Sequence, residues 1–541
     1  MKTHCAAIAL ATALLTGCGG GGGSTPVVNP VPTQITVDAS TVAMADPGSP
    51  LPANWQTSSA FMEIFVRSYF DSNGDGIGDF QGVIQKLPYL KALGIKGIWL
   101  MPVTASMDHD HGYAVADYRA TEPDYGTMAD FQALVTAAHA QGIGVINDYV
   151  MNHSASQNPF FLNSQSGTQS PWRDWYIWSA TQPSGWSIYG NNPWISDNGA
   201  WYLGEFSSTM PDWNLTNSAV IAYHQSNMRY WLNMGVDGFR YDAVSNYVKN
   251  GANAWLDQPQ NYTIANSNRA LLDQYRQRYM VCEASGDPVG FAAGSACGSA
   301  FAFGHNTDLM NAAQGNLAAI QAVAAYPAQV PATMATFLAN HDSGNGQRIY
   351  DQLSGNPAQY RLAAATYLLQ PGIPFIYYGE EVGMAGGQGL TGDPALRSPM
   401  SWTGNVANGG FTTGTPYRAL ASNVATYNVQ AQIADRASIY SFYAAMLGLR
   451  NSHPAIAQGS YDFYAVQGAA LSFQRNLGSD HVLVVLNYGA AAGTVALSNL
   501  PANATLSVLY PGAGPVLPSA DGNGQASVSV PAQTVLVIRI N

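Results

Sequence analysis

The sequence predicts an α/β protein, a (β/α)8 TIM barrel with an inserted domain after the third strand and a C-terminal antiparallel β-sandwich. Three observations lead to this architecture. Helical and strand patterns alternate along most of the chain without hairpin signals, which favours a parallel sheet covered by helices. A tryptophan-rich segment interrupts this alternation after its third strand. Beyond about residue 459 the pattern changes to short alternating strands separated by Gly, Pro and Asn, as is typical of a β-sandwich.

The composition indicates a large globular protein that acts on an uncharged substrate. The chain has 541 residues, of which 47% are hydrophobic and 11% aromatic, enough for a sizeable core and more than one domain. The formal net charge is -12 and only 10% of the residues are charged, which argues against nucleic acid and other polyanionic partners. We expect a monomer.

The N-terminus reads as an export signal. Residues 1–18 combine one lysine with a short apolar stretch, and Leu15 to Cys18 resemble a bacterial lipobox. This resemblance implies cleavage before Cys18 and a lipid on its sulfur, with ordinary signal cleavage as the alternative. The Gly-, Ser- and Pro-rich residues 19–52 predict a flexible linker. The protein is therefore expected to be lipid-anchored to the cell envelope, at the outer membrane, or secreted, with no other membrane contact.

The first strand candidate, Phe61 to Arg67, runs into a loop of alternating oxygen side chains. Such a loop suits a hard cation such as calcium. The candidate calcium ligands are the side chains of Asp71, Asn73, Asp75 and Asp79 and the backbone oxygen of Ile77. The loop resembles an EF-hand, except that Gly82 stands where the bidentate glutamate belongs. A solvated acidic turn is the alternative interpretation.

Helix and strand patterns then follow one another. Apolar residues keep helical spacing from Phe80 until Gly94, a helix terminator, and Lys96 to Met101 predicts the next strand. The helix candidate 130–140 is closed by Gly142 and followed by a strand to Asp148. The later helix and strand candidates are 223–232, 236–242, 279–283, 336–342, 373–378 and 438–449. The predicted domain boundaries are 1–18 for the signal, 19–52 for the linker, 53–153 and 214–456 for the two parts of the barrel, 154–213 for the inserted B domain and 457–541 for the β-sandwich.

The inserted segment holds an unusual share of the tryptophans. Seven of the chain's twelve lie between Trp172 and Trp213. Flat aromatic faces suit the apolar faces of sugar rings, so the segment predicts a lobe beside a carbohydrate cleft. An aromatic-packed subdomain without that role is the alternative.

Charged residues recur at the carboxyl ends of the predicted strands, where a barrel enzyme keeps its chemistry. Asp242 ends one strand, and Arg240 lies two residues earlier on the same face, which would hold the carboxylate ionised as a nucleophile, or form a simple ion pair. Glu283 and Asp342 end two other strands. Paired carboxylates at such positions are the equipment for glycoside cleavage.

These motifs make the chain resemble the alpha-amylase family of glycoside hydrolases from about residue 55 to the end. The family's motifs recur in order as Asp148 to His153, Gly238 to Asp242, Glu283, Asn340 to Asp342 and the auxiliary Met210 to Asn214. The auxiliary motif is similar to that of relatives intermediate between oligo-1,6-glucosidases and neopullulanases.

The resemblance implies a role for each matching residue. Asp242 would be the nucleophile, Glu283 the general acid and base, and Asp342 the carboxylate that steadies the distorted sugar. The implied substrate-binding residues are Tyr113, His153, Arg240, His341 and Arg397. An ion pair with a structural role is an equal alternative for Arg397, and Asn152 matches an asparagine that serves a structural calcium in many relatives.

The expected activity is retaining hydrolysis of internal α-1,4-glucosidic bonds in starch and maltooligosaccharides, with some glycosyl transfer. Ala243 follows the nucleophile as in many amylases, whereas relatives that favour α-1,6 links commonly have valine there. Ser245 and Asn246 replace the Lys and His with which many amylases grip the leaving-side sugars, so that side is expected to bind loosely. The alternatives are an α-glucosidase or oligo-1,6-glucosidase acting on short oligosaccharides, and an inactive carbohydrate-binding relative. The intact set of three carboxylates argues against the inactive relative.

Two cysteines, Cys282 and Cys297, remain in the part of the chain predicted to fold as domains. An exported protein folds in an oxidising compartment, so the two could form a disulfide beside Glu283.

Overall fold

A computed structural model of the chain describes residues 35–58, 60–512 and 516–541. The predicted signal, the lipobox and linker residues 19–34 lie outside these ranges. Val37–Asn541 forms one unit, and the account below concerns that unit. Within the described ranges, every helix is too short or too polar to cross a bilayer.

The described strands fall into a parallel barrel, a small sheet in the inserted lobe, a two-stranded ribbon and two C-terminal sheets. They are β1 (Phe61–Ile64), β2 (Gly97–Leu100), β3 (Thr104–Ser106), β4 (Val115–Thr121), β5 (Gly144–Tyr149), β6 (Trp178–Ser179), β7 (Trp194–Asp197), β8 (Ala200–Leu203), β9 (Gly238–Tyr241), β10 (Tyr279–Cys282), β11 (Ala335–Thr336), β12 (Ile373–Tyr377), β13 (Asp462–Gln467), β14 (Ala470–Leu477), β15 (Asp480–Asn487), β16 (Gly493–Leu497), β17 (Leu506–Tyr510), β18 (Ala526–Val530) and β19 (Thr534–Ile540).

The described α-helices alternate with the barrel strands or lie in the connecting segments. They are α1 (Val66–Tyr69), α2 (Phe80–Leu93), α3 (Met128–Ala140), α4 (Pro159–Gln165), α5 (Ser218–Asn233), α6 (Pro259–Leu272), α7 (Pro288–Ala292), α8 (His305–Ala313), α9 (Leu317–Ala325), α10 (Ile349–Gln352), α11 (Pro357–Leu369), α12 (Asp393–Leu396), α13 (Val429–Ala434), α14 (Ile439–Ser452) and α15 (Pro454–Gln458).

Seven parallel strands form most of the barrel, in the order β10-β9-β5-β2-β1-β12-β11. The gap between β10 and β11 is closed by two parallel bridges, Cys282 to Ala300 and Phe301 to Ala335. Residues 300–301 therefore take the sixth of eight positions around the ring, which confirms the predicted (β/α)8 barrel. The sequence analysis missed this position because it offers only two bridged residues, one of them alanine.

Large aromatic side chains fill the barrel interior. Phe61 and Phe375 stack with their ring centroids 4.6 Å apart, and Trp99 packs on Phe301 at 5.3 Å. All four are buried. Because this apolar layer occupies the middle of the barrel, polar groups are confined to the ends of the strands.

The helix predictions hold well where capping signals are strong. Helix α2 begins after Asp79, whose side chain accepts a hydrogen bond from the Gly82 amide, and ends at Gly94 with φ of 100°. Gly94 takes this left-handed conformation at little cost because it lacks a Cβ. The predicted helix from Phe80 to Gly94 is therefore confirmed.

Residues 37–52 of the predicted flexible linker are held against the barrel, so this part of 19–52 is not a free tether. Arg119 donates to the Asp38 carboxylate at 3.0 Å and to the Ser40 hydroxyl at 2.7 Å. The Ala45 amide donates to Asn233 Oδ1 at 2.9 Å. Composition predicted a tether here, but these polar side chains of the barrel satisfy the extended backbone.

The inserted lobe contains α4 and the sheet β6-β8-β7. Its tryptophans pack on one another and on neighbouring rings, as in the stacks of Trp175 on Phe160 at 4.7 Å and Trp213 on Tyr176 at 4.3 Å. Three of them, Trp175, Trp194 and Trp213, are buried, so the tryptophans mainly pack the lobe itself, as in the alternative interpretation. Two other aromatic residues of the lobe, Tyr189 and Phe206, line the cavity described below, so the lobe does lie beside a cleft.

The C-terminal domain has a five-stranded antiparallel sheet, β13-β14-β15-β19-β17, and a two-stranded sheet, β16-β18. Buried side chains of both sheets share one hydrophobic cluster, which includes Val485, Ile538, Val495 and Val528. This packing of two sheets face to face agrees with the predicted sandwich.

Candidate active site

Strand ends bring the predicted carboxylates to one end of the barrel. Tyr241 of β9 pairs with Cys282 of β10, so the residues that follow them, Asp242 and Glu283, leave the sheet at the same level. The Glu283 amide donates to the Tyr241 carbonyl at 2.9 Å, and the Asp242 amide donates to the Tyr149 carbonyl at 3.1 Å. These ladder bonds fix the two side chains at the mouth of the barrel.

One guanidinium connects three carboxylates. Arg240 Nη1 lies 2.7 Å from Asp242 Oδ1 and 2.8 Å from Asp148 Oδ1, and Nη2 lies 2.8 Å from Glu283 Oε2. The Ala243 amide also donates to Glu283 Oε2 at 2.8 Å. Contact with a single guanidinium keeps Asp242 and Glu283 close together.

Asp342 is held by a second set of cations. Arg397 Nη2 lies 2.9 Å from Asp342 Oδ1, and His341 Nε2 lies 3.1 Å from Asp342 Oδ2. On its other side His341 Nδ1 lies 2.6 Å from Glu63 Oε1. Burial opposes a charged imidazole, but Asp342 and Glu63 raise the pKa of His341 to about 10. Burial would raise the pKa of Asp342, yet His341 and Arg397 lower it below its ordinary value. Asp342 is thus ionised opposite two positive charges.

The negative charges of Asp148 and Asp242, next to Arg240, are less well balanced by neighbouring cations than the charge of Asp342. Burial raises the pKa of Asp148 to about 6 against the charge of Arg240. Burial also raises the pKa of Asp242 well above its ordinary value, opposed by Arg240 and reinforced by Glu283 and Asp148. The expectation that Arg240 holds Asp242 ionised does not agree with this direction, because burial outweighs the charge of a guanidinium that three carboxylates share. Asp148 and Asp242 therefore keep a proton to higher pH than an ordinary aspartate does.

Two polar side chains complete the wall of the site. The Tyr113 hydroxyl donates to Asp148 Oδ2 at 3.0 Å and lies 2.7 Å from His341 Nε2. His153 is buried, burial lowers its pKa to about 3, and its Nε2 has no hydrogen-bond partner within the protein. A neutral imidazole with a free nitrogen is suited to bind a hydroxyl group.

These residues surround a cavity of about 280 Å³. Its lining residues are His111, Tyr113, His153, Tyr189, Phe206, Met210, Asp242, Ala243, Asn246, Glu283, Ser285, Asp342, Asp393 and Arg397. Six of the eight predicted catalytic and substrate-binding residues are among them. The other two, Arg240 and His341, are buried directly behind the carboxylates that they contact.

Other residues of the site were not predicted. Glu63 stands alone as a charged residue in the apolar strand β1, and that isolation was the available signal. Asp148 was predicted only as the first residue of a motif. Its position as a charged residue in the fully buried strand β5 is the same kind of signal. Tyr189 and Phe206 lie in the inserted lobe, where nothing in the local sequence distinguishes them from structural aromatics.

Asn152 does not have a free oxygen for a metal ion. Its Oδ1 accepts from Lys249 Nζ at 2.6 Å, and the same ammonium lies 3.0 Å from Glu205 and 2.6 Å from Asp212. Burial raises the pKa of Asp212 to about 7, against the charge of Lys249. The lysine supplies the positive charge at this position, so the donor set does not fit an additional calcium ion.

The predicted calcium loop contains three successive turns, each closed by a side-chain oxygen that accepts a hydrogen bond from the backbone amide two residues later. Asp71 Oδ1 accepts from the Asn73 amide at 2.9 Å, Asn73 Oδ1 from the Asp75 amide at 2.9 Å, and Asp75 Oδ1 from the Ile77 amide at 2.8 Å. Asp79 instead caps α2 and accepts from the Ser72 amide at 2.9 Å. A loop of hard oxygen donors fits calcium in its chemistry.

The geometry points to a barrel enzyme with a carboxylate-lined site, and sequence comparison agrees. The model of the alpha amylase catalytic domain matches residues 63–459, and the chain belongs to the alpha-amylase family of glycoside hydrolases. Alpha-amylase 3 of Dictyoglomus thermophilum is 33% identical over 82% of this chain and 87% of its own. An oligo-1,6-glucosidase of Parageobacillus thermoglucosidasius is 28% identical over 80% of this chain and 90% of its own.

Solved structures agree as well. The trehalulose synthase MutB from Pseudomonas mesoacidophila superposes on this chain with a TM-score of 0.78 at 26% sequence identity. The match covers 91% of this chain and 100% of the MutB chain. Relatives of this family thus include hydrolases and an enzyme whose name indicates the synthesis of a sugar.

Proposed function

We propose that the protein is a retaining glycosidase that cleaves α-1,4-glucosidic bonds of maltooligosaccharides and starch. The observation that carries the proposal is the bridge of Arg240 between Asp242 and Glu283, which brings two carboxyl groups with different surroundings together in the lining of a sugar-sized cavity. Ala243, next to the nucleophile, supports a preference for α-1,4 over α-1,6 links.

The reaction proceeds in two displacements. Asp242 attacks the anomeric carbon while Glu283 donates its proton to the glycosidic oxygen, so the bond to the leaving sugar breaks and a glycosyl ester forms on Asp242. Glu283, now ionised, takes a proton from water, which attacks the same carbon and releases Asp242. Asp342 also lines the cavity and supplies a fixed negative charge for the oxocarbenium-like transition state. A sugar hydroxyl in place of water gives glycosyl transfer.

The second candidate function is an α-glucosidase or oligo-1,6-glucosidase acting on short oligosaccharides. The volume of the cavity favours it, because about 280 Å³ lies just below the usual range for ligand sites, about 300–1,000 Å³. A similar oligo-1,6-glucosidase adds support.

A time course on long amylose distinguishes the two candidates. Early loss of iodine staining with mixed oligosaccharide products supports internal cleavage. Glucose as the single product from the first minutes supports the α-glucosidase. Parallel incubations with pullulan and isomaltose measure the preference for α-1,4 over α-1,6 bonds.

We also propose that calcium occupies the loop from Asp71 to Asp79 as a structural ion. The support is the donor set and the three side-chain turns that hold it. The loop carries none of the carboxylates that line the cavity, so the ion takes no part in the steps above.

The proposed location is the cell envelope or the exterior, which the predicted N-terminal signal and lipobox support.

A further inference from the structure

A second cavity, here called the junction cavity, lies between the barrel and the C-terminal domain. Its volume is about 1000 Å³, whereas that of the catalytic cavity is about 280 Å³. Helices α11 and α14 of the barrel supply one wall, and strands β17, β18 and β19 supply the other. No described residue lines both cavities. Protein interiors leave few voids larger than a water molecule, so a space of this size suits a ligand.

Buried apolar side chains form most of the wall of the junction cavity. Leu362 and Phe442 line it from the barrel helices, and Val528, Val535 and Leu536 line it from the C-terminal strands. All five are buried within the protein. Because the gain from covering apolar surface grows with the area covered, this wall favours a ligand with an apolar body.

The charged residues of the lining are two arginines. Arg361 and Arg436 line the junction cavity, and its described lining residues include no Asp or Glu, although the chain has 33 acidic residues against 21 Lys and Arg. Neither arginine forms an ion pair with a carboxylate of the described residues. Arg361 is half-buried and Arg436 is exposed. The cavity is therefore a locally positive site in a protein of net charge -12, and it complements an anion.

The contacts of Arg361 place its charge beside the start of helix α14. Its Nη2 donates to the carbonyl of Ala437, which follows Arg436 and precedes the N-cap residue Ser438. Burial raises the pKa of the Tyr510 hydroxyl and the charge of Arg361 opposes this shift, so the guanidinium also lies near Tyr510. The N-terminus of a helix carries a partial positive charge, and Ser438 lines the cavity at this terminus. An anionic group here would meet two guanidiniums, a helix N-terminus and a hydroxyl donor.

We infer that the junction cavity binds a single-chain anionic amphiphile, a long-chain fatty acid, with its carboxylate at Arg361 and Arg436 and its chain between the two domains. The arginines select the charge of the head group, and the apolar wall selects the chain. Because this wall is buried in the junction and is not an exposed face, it favours a soluble ligand over a membrane surface. A ligand in this position contacts both domains and stabilises their packing. The site is independent of the proposed glycosidase function.

Calorimetric titration of the protein with three probes separates the head group from the chain. Dodecanoate has both, dodecyltrimethylammonium has the same chain with the opposite charge, and acetate has the head group without the chain. We expect dodecanoate to bind saturably and the other two to bind more weakly by about a hundredfold or more. Decanoate should bind about tenfold more weakly than dodecanoate, because it buries two methylene groups fewer.

Substitutions test whether the binding occurs in the junction cavity. Arg361→Gln and Arg436→Gln each remove one charge and should weaken dodecanoate binding about tenfold, whereas Arg361→Lys should retain more of the affinity than Arg361→Gln. Ala445→Phe places a ring in the space lined by α14 without changing the charge, and it should abolish binding. Arg539→Gln removes an exposed arginine outside the lining and is the matched control. None of these residues lines the catalytic cavity, so activity on maltotetraose should be unchanged in every variant.

Thermal unfolding gives an independent measurement. Dodecanoate below its micelle concentration should raise the unfolding temperature of the wild type, because it binds the folded junction, and should leave that of Ala445→Phe unchanged. No saturable binding of dodecanoate, or equal binding of dodecyltrimethylammonium, would overturn the inference. Unchanged affinity in both glutamine variants and in Ala445→Phe would overturn it as well. Arginine-dependent sedimentation with phosphatidylglycerol vesicles, without binding of soluble dodecanoate, would overturn it in favour of a membrane surface.

Discussion

Arg240 is the cation that three carboxylates share at this end of the barrel, and its charge opposes the burial that raises the pKa of Asp148 and Asp242. It contacts Asp148, Asp242 and Glu283 within 2.8 Å. With the guanidinium divided in this way, Asp242 gains less stabilisation of its charged form than an exclusive ion pair would give. A bound sugar adds hydroxyl donors to the same carboxylates, so we expect substrate binding to complete the ionisation of the nucleophile.

The first prediction concerns the two reacting carboxyl groups. Asp242→Asn and Glu283→Gln should each lower turnover by several orders of magnitude and leave folding intact, because each removes a charge or proton that is used in the chemistry. Turnover on maltotetraose and far-ultraviolet circular dichroism measure the two effects. Activity within tenfold of the wild type for either variant would contradict the assignment.

A substrate with an activated leaving group separates the two roles. Since α-glucosyl fluoride needs little protonation to depart, Glu283→Gln should form the glycosyl ester from it much faster than from maltotetraose. Asp242→Asn should show no such recovery, because it lacks the attacking carboxylate. Recovery in both variants would mean that neither residue is the nucleophile.

At the scale of elements, Lys249 joins the inserted lobe to the barrel. Its ammonium is completely buried with Glu205 and Asp212 of the lobe and with Asn152, which follows β5. Lys249→Met should destabilise the protein by about 3–5 kcal/mol, because two buried carboxylates lose their cation. Unfolding in urea measures this loss. The exposed Lys91→Met serves as the control and should change stability by less than about 0.5 kcal/mol.

The loop from Asp71 to Asp79, proposed to bind calcium, permits a prediction at the same scale. A chelator should lower the unfolding temperature of the protein, and added calcium should restore it, because an ion bound only by the folded loop stabilises the fold. Asp75→Ala should abolish the response to calcium. The initial rate on maltotetraose at a temperature well below unfolding should change little. An unfolding temperature indifferent to chelator and to Asp75→Ala would argue against the site.

Features with strong local sequence signals could be predicted from the sequence, whereas features that depend on tertiary contacts could not. Asp242, Glu283 and Asp342 were predictable as site residues because each ends an apolar strand and lies in a motif that resembles one of the alpha-amylase family. The helix from Phe80 to Gly94 was predictable because its cap residues and apolar spacing agree. The sixth barrel position was not, since residues 300–301 carry no strand pattern. Tyr189 was not predictable either, because it meets Asn246 only after the lobe folds over the barrel.

At the scale of the whole molecule, two adjacent buried glutamates make stability depend on pH. Burial raises the pKa of Glu380 to about 8 and that of Glu381 to about 7. Glu380 accepts from the Tyr367 and Tyr443 hydroxyls at 2.7 and 2.6 Å, and Glu381 accepts from the Tyr89 hydroxyl at 2.7 Å. Arg348 is the cation that opposes the shift of Glu381. Both carboxyls are therefore neutral in the folded protein at mildly acidic pH.

The consequence for stability has a definite sign. In the unfolded chain a glutamate loses its proton near pH 4.5, whereas Glu380 keeps its proton in the folded chain up to about pH 8. The folded state therefore binds more protons over this range, and its stability falls as the pH rises from about 4.5 to about 8. Glu380→Gln should equal the wild type at pH near 5 and exceed it in unfolding temperature above about pH 8. A difference between the two proteins that does not grow with pH would sink this explanation.

The sixth barrel position has a consequence for how the barrel opens. Two backbone hydrogen bonds tie residues 299–301 to Cys282, and two others tie residues 300 and 302 to Ala335. The disulfide between Cys282 and Cys297 lies beside this narrow junction and confirms the predicted pairing. Native-state opening should therefore begin here, in a local unit less protected than the other strands. After reduction of the disulfide, hydrogen exchange at Phe301 and Ala302 should accelerate before exchange at β2 or β5 does. Because Glu283 follows Cys282 directly, catalytic activity should decline with the opening of this junction, well before the barrel unfolds as a whole.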